Sequence, residues 1–218
     1  YGGSLFRPEA TGYGATYYVN EVLKHEGDTF EGKTVAMSGF GNVAWGIAMK
    51  VAQLGGKVVT LSGPDGYCYD PDGITTEEKF NYMLEMRNSG RNRAQDYADK
   101  FGVEFFPKQK PWGQKVDICM PAAYQNELDV PEIEQIIANG TKYYIEVANM
   151  PTTNEALRFL MDQKNMVVAP SKAVNAGGVL VSALEMSQNS ERLSWTFEEV
   201  DAKLKTIMVN IYHNIDDA

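Results

Sequence analysis

Ser38-Gly39-Phe40-Gly41-Asn42-Val43-Ala44 decides the fold, because it follows the short apolar run Thr34-Val35-Ala36-Met37 and opens a helical pattern. The spacing is G-x-G-x-x-A. Gly39 permits a tight turn, Gly41 lets the backbone approach a ligand closely, and Ala44 lets the following helix pack on the strand. The free N–H groups and positive end of that helix then favour an anion beyond the strand. Alone, such a pattern is often an ordinary strand-to-helix turn. Here a second run, Lys57-Val58-Val59-Thr60-Leu61-Ser62, completes a strand-helix-strand unit after one amphipathic helix. That context points to a bound dinucleotide, its pyrophosphate held by Ser38, Gly39, Phe40, Gly41, Asn42 and Val43.

Working outward, a first helix is expected over 11–26, with Thr11 as its cap and Gly27 at its end. The glycine-motif helix covers 42–54 and stops at Gly55-Gly56. After the second strand, the segment from Gly63 to Gly73 carries turn residues at both ends and an alternating Tyr67-Cys68-Tyr69, the pattern of a small hairpin. Helical patterns cover 76–86 and 93–101. Further strands are expected at 116–120, 143–146 and 167–169, each followed by a turn and a helix. No internal repeat or low-complexity segment interrupts the series. It predicts an α/β fold: a doubly wound, mostly parallel Rossmann-type sheet with helices on both faces and ligands beyond the C-terminal strand ends. One large domain over 1–218 is expected, with 1–30 as a helical lead-in.

Composition sets the outer limits. The chain has 218 residues, 44% hydrophobic and 22% charged, enough to bury a core. A formal charge of −9 argues against a nucleic-acid or anionic-membrane surface. Cys68 and Cys119 are far apart, and His25 and His213 lack ligand spacing, so neither a disulfide framework nor a metal site is expected. No apolar run approaches the ~20 residues of a membrane span, and no signal peptide is visible, which suggests a cytoplasmic protein. The chain begins at Tyr1 rather than at a methionine, the expectation being an excised domain.

The strand ends carry a consistent polar set. Met120-Pro121-Ala122-Ala123 follows one strand, Glu146-Val147-Ala148-Asn149-Met150-Pro151 the next, and Pro170-Ser171-Lys172-Ala173-Val174-Asn175-Ala176-Gly177-Gly178 the last. A doubly wound fold brings all three to one rim. Singly, Asn149 and Asn175 read as turn residues; their recurrence at the ligand rim argues for amides that hold a carboxamide or a ribose. Lys172 is a candidate partner for a carboxylate, although a lysine in a polar loop is more often solvated.

Tyr1-Gly2-Gly3-Ser4-Leu5-Phe6-Arg7-Pro8-Glu9-Ala10-Thr11-Gly12-Tyr13-Gly14 resembles a signature of the glutamate dehydrogenases. Gly39-Phe40-Gly41-Asn42-Val43-Ala44, Glu146-Val147-Ala148-Asn149 and Lys172-Ala173-Val174-Asn175-Ala176-Gly177-Gly178-Val179 look like three more blocks of that family, in order. The similarity is to the nucleotide-binding domain of the hexameric bacterial type and covers essentially the whole chain. It implies oxidative deamination of glutamate to 2-oxoglutarate and ammonia, and the reverse. It further implies that Thr11 and Asn175 contact the nicotinamide carboxamide, Asn149 with Ala148 the adjoining ribose, and Gly39 to Val43 the pyrophosphate, with Arg7 in the same cofactor set. Val179 and Ser182 resemble positions that line the glutamate side chain.

In that family the catalytic lysine and the proton-shuttling aspartate belong to a preceding domain, and nothing here resembles their motif. The expectation is therefore an inactive fragment, monomeric or weakly dimeric, of a homohexameric enzyme. Two alternatives stay open: a branched-chain or aromatic amino-acid dehydrogenase, against which Ser182 and Arg7-Pro8-Glu9-Ala10-Thr11-Gly12 speak, and a non-catalytic dinucleotide-binding module. For the cofactor, Ser62 and Gly63 end the second strand, Asp65 lies just beyond, and no Lys or Arg occurs between Gly63 and Thr76. An acid near this strand end suits a ribose hydroxyl and repels a 2′-phosphate, so NAD is favoured over NADP unless Arg87, Arg91 or Arg93 folds back.

Overall fold

The structure, a computed structural model, describes residues 6–216. Four strand-to-helix passages build a parallel sheet of β1 (Thr34–Met37), β2 (Lys57–Val58), β6 (Ile118–Met120), β7 (Tyr143–Ile145) and β8 (Val167–Ala169), in the order β2-β1-β6-β7-β8. The strands are short, nearly all apolar and buried, as a sheet covered on both faces requires. Side chains alternate between two cores. Val35, Met37, Ile118, Met120, Tyr143 and Ile145 face one layer, whereas Ala36, Cys119 and Tyr144 face the other.

The first layer holds α1 (Ala10–His25), α2 (Asn42–Gln53), α8 (Gly177–Glu191) and α9 (Phe197–Asp216). The second holds α5 (Val130–Ala138), α6 (Asn154–Met161) and a 3-10 turn at Pro111–Gly113, with Trp112 fully buried at its centre. Asp129 and Glu132 form a reciprocal capping box that fixes where α5 begins.

Two expectations need correction. The run 57–62 is not one strand. Thr60 Oγ1 accepts from Met37 N–H and donates to Met37 C=O, both at 2.8 Å, so a side chain replaces the backbone ladder and the chain leaves the parallel sheet. It then forms β3 (Thr60–Gly63), which pairs antiparallel with β4 (Gly66–Tyr69), itself paired with β5 (Glu104–Pro107). The expected hairpin around Tyr67-Cys68-Tyr69 is thus present and gains a third strand, joined by a Tyr67–Phe106 stack at 4.6 Å. Thr11 is also not a cap: α1 starts at Ala10 with Glu9 before it and no side-chain cap bond. The remaining helices, α3 (Glu77–Ser89), α4 (Gln95–Phe101) and the single turn α7 (Ser171–Val174), pack around this frame.

The order β2-β1-β6 means that the chain leaves β1 toward one edge and later returns on its other side. That reversal opens a crevice beyond the C-terminal ends of β1 and β6, where doubly wound sheets bind ligands. Among the described residues no helix is long and apolar enough to cross a membrane, and no cluster of three or more His, Cys, Asp or Glu is placed to hold a metal.

Candidate functional site

A groove of two joined parts runs along this crevice. The larger, about 970 Å3, is lined by the loop from Gly39 to Val43, by Ser62, Gly63 and Pro64, and by Arg87, Lys108 and Lys110. The smaller, about 680 Å3, is lined by Arg7, Thr11, Ala148, Asn149, Asn175, Gly178, Val179 and Ser182. Val43, Ala122, Ala123 and Tyr124 line both and form the junction.

The larger part is built from backbone. Gly39 takes a left-handed φ of 81°, and its N–H donates to Ser62 Oγ at 2.9 Å, which sets the height of the loop. α2 has no side-chain cap at Gly41, so its first N–H groups open toward the cleft. A Cβ built on Gly41 meets nothing within 4 Å. Arg87 reaches across from α3 to donate to Asn42 Oδ1. A guanidinium at the positive end of a helix is an arrangement that an anion between them would relieve.

The smaller part is built from side chains. Asn175 Nδ2 donates to Asn149 Oδ1 at 2.7 Å, so the two asparagines expected from sequence at separate strand ends meet. Thr11 sits against Gly178, where a Cβ would lie 2.6 Å from its Oγ1. Ser182, which lines the groove, donates from Oγ to Gly178 C=O at 3.1 Å. Val179, on the same helix, is 76% exposed. Among the described residues, no Asp, Glu, Lys or His lines this half, whose titratable side chains are Arg7 and Tyr124.

Two expected contacts fall outside the lining. Ser38 is fully buried beneath the loop: its Oγ donates to Glu127 Oε2 at 2.8 Å and accepts from the N–H groups of Ala122 at 2.9 Å and Ala123 at 3.2 Å. Asp65 is spent on the fold, accepting from Ala94 N–H at 2.8 Å and Gln95 N–H at 3.0 Å to hold the start of α4. Its charge stays beside Gly63, but the carboxylate does not face the cleft. Arg91 and Arg93 are drawn to Asp96, at 2.9 and 4.0 Å, while Arg87 alone of the three lines the groove. Lys172 is exposed and outside the lining.

Sequence reasoning missed Lys108, Lys110, Tyr124 and Glu127. The last two lie just past the strand-end motif Met120-Pro121-Ala122-Ala123, so extending that motif by four residues would have found them. A further signal was unreadable from sequence: of the five non-glycine residues with positive φ among the described residues, Asn92 and Lys108 line the groove, while Asn126 and Met150 follow lining residues.

Fold and groove together define a doubly wound α/β domain with a groove at the switch point. The Glutamate/Leucine/Phenylalanine/Valine dehydrogenase family model matches residues 2–218, and the chain belongs to that family. The NAD-specific glutamate dehydrogenase of Clostridium symbiosum is 75% identical over 97% of this chain. The NADP-specific glutamate dehydrogenase of Haemophilus influenzae is 50% identical over 98%. A solved glutamate dehydrogenase structure superposes with a TM-score of 0.95 at 76% identity over 96% of the chain, and that of Plasmodium falciparum with 0.91 at 42%. The chain spans 47% of the length of both curated relatives, or about half.

Proposed function

We propose that this chain is the cofactor-binding half of a glutamate dehydrogenase, holding NAD in preference to NADP along the groove. The observation that carries this is the loop itself: an uncapped α2 terminus and an open glycine, Gly41, at the switch point, in a cleft of about 970 Å3. When bound, the nicotinamide supplies the acceptor for a hydride from the amino-acid α-carbon. Everything else falls to the chain's own residues. Gly39 to Val43 hold the pyrophosphate on backbone N–H groups. The Asn149–Asn175 pair, with Thr11 and Ala148, fixes the nicotinamide ribose and carboxamide, and so the ring face presented to the substrate. Val179 and Ser182 flank the substrate's side chain; a hydroxyl there suits a distal carboxylate better than an aliphatic or aromatic group. Arg7 closes the outer edge beside Gly178.

General acid-base chemistry needs groups within hydrogen-bond reach of the reacting carbon. Among the described residues, the half of the groove lined by Asn149 and Asn175 has no carboxylate, lysine or histidine, which supports the reading that these groups come from elsewhere. The NAD preference rests on Ser62 at the strand end, the charge of Asp65 beside Gly63, and the pairing of Arg91 and Arg93 with Asp96; Arg87, which lines the groove with Lys108 and Lys110, is the group a 2′-phosphate would draw on instead. The full-length protein is read as a homohexamer and this chain alone as a monomer or weak dimer. A cytoplasmic location fits two free cysteines, Cys68 and Cys119, whose thiols burial pushes up to about 12.

Paired calorimetric titrations with NAD and NADP, a deamination assay and light scattering test the reading. Saturable binding with NAD the tighter ligand, no turnover and a mass of one or two chains are expected. Absence of dinucleotide binding contradicts the groove assignment, tighter NADP binding the preference, turnover the missing acid-base groups, and a stable hexamer the assembly.

A further inference from the structure

Glu127 lies beneath the junction of the two groove parts, 2% exposed and bonded to Ser38. Its Oε2 accepts from Ser38 Oγ at 2.8 Å, and Ser38 is the residue that leads β1 into the glycine loop. The same Ser38 oxygen accepts from Ala122 and Ala123 N–H, the residues that leave β6 and line both groove parts. The Ala123 and Tyr124 backbone beside it also favours the ionised carboxylate. One buried carboxylate thus ties the loop after β1 to the loop after β6 across the crevice.

We propose that Glu127 is a positioning residue for the dinucleotide: through Ser38 its carboxylate sets the spacing of the two loops that grip the cofactor, and its ionised form is the one that binds tightly. The inference rests on the groove being the dinucleotide site. A charge buried this deeply costs desolvation energy and is a poor device for stability alone. The cost is visible in its acidity. Burial pushes the Glu127 carboxyl up to about 7, with Ser38, the Ala123 and Tyr124 N–H groups and the Lys110 charge pulling it back only in part.

The neighbours leave Glu127 as the group that titrates near neutrality. Lys110 donates to Glu127 C=O at 2.6 Å and to Glu132 Oε1 at 2.8 Å; burial opposes its charge, but Glu132 holds its pKa above the usual lysine value. Burial pushes Glu132 upward, yet bonds from Lys110 and Asp129 N–H leave it below the usual carboxylate range. Tyr124 and Tyr144, both raised by burial, stay neutral. Protonating Glu127 removes the charge that Ser38 O–H donates to, and the weakened Ser38–Glu127 bond loosens the tie between the two loops. Lys110, which lines the cleft and touches Glu127, offsets the repulsion between the ionised carboxylate and a pyrophosphate.

Calorimetric titration of NAD into the chain between about pH 6 and about pH 8 tests this, with Glu127→Gln and Ser38→Ala measured alongside. The wild-type affinity is expected to fall about threefold to tenfold toward the acid end, while both variants bind more weakly at the alkaline end and show a flat profile. Thermal melts report whether each variant folds, and Ser38→Ala, which leaves the carboxylate in place, carries the test if Glu127→Gln does not. A flat wild-type profile, or variants that keep the wild-type slope, overturns the proposal. Absence of NAD binding by the wild type at every pH overturns the groove reading on which it stands.

Discussion

Gly12, where α1 crosses α2, and Gly41, which leads into α2, are glycines of opposite kinds. A Cβ on Gly12 would lie 2.4 Å from Val43 C=O and 2.6 Å from Ile47 N, because α1 crosses α2 backbone to backbone. Gly46, Gly14 and Gly177 continue the seam: Gly46 meets Glu9 C=O at 3.0 Å, and Gly177 meets Ala10 C=O at 2.4 Å. Gly41, at the N-terminus of the same helix, has open space around it. One set of glycines is explained by the fold. Gly41, with ordinary φ and open space around it, is not explained by the fold in that way, and the contrast supports the proposed groove more sharply than the glycine motif itself.

The largest expected effect breaks the closed side. Gly12→Ala places a methyl group against two backbones that cannot yield, and should cost about 3 kcal/mol or more, beyond ordinary overpacking, seen as a large fall in the denaturation midpoint. A variant as stable as the wild type would mean that the helix crossing is looser than described.

Next comes the carboxylate beneath the open side. The folded-state pKa of Glu127 is raised from 4.5 to about 7, so its contribution favours folding below pH 4.5 and is lost as pH rises through 7. The difference corresponds to about 3 to 4 kcal/mol as an upper bound. Glu127→Gln should remove that slope from the pH-stability curve and bring the folded chain at alkaline pH level with or above the wild type, even while it weakens cofactor binding. A stability slope unchanged by the substitution would show that another group titrates there. A smaller effect separates fold from selectivity at the rim: Asp65→Ala should cost about 1 kcal/mol by uncapping the start of α4. If NADP affinity stays fixed while stability drops, Asp65 serves only the fold; tighter NADP binding shows that its charge also reaches the 2′-phosphate.

Much of this contrast was readable in the sequence, for physical reasons that differ by element. The β1 run and the glycine loop carry a local signal, since tight turning and close backbone approach demand glycine at fixed spacing. The parallel strands likewise announce themselves as apolar runs between turns. The break after Val59 was invisible, because it depends on Thr60 bonding the backbone of Met37 across the sheet, a contact between residues 23 apart. Asp65 looked like a rim charge because its partners, Ala94 and Gln95, arrive from 29 and 30 residues away. Asn149 and Asn175 were legible only as a recurrence at strand ends; their meeting at 2.7 Å is a product of topology. Glu127 escaped for the same reason, its link to Ser38 spanning 89 residues.

The central claim is that the open space at Gly41 belongs to a dinucleotide. Gly41 has φ −77° and ψ −167°, a conformation that any residue adopts, so Gly41→Val can be made without straining the fold. Calorimetric titration of NAD against wild type and Gly41→Val, with thermal melts of both, should show unchanged melting and an affinity loss of about a hundredfold or more, since the added side chain occupies the place of the pyrophosphate. Equal NAD affinity in the two proteins would contradict the account.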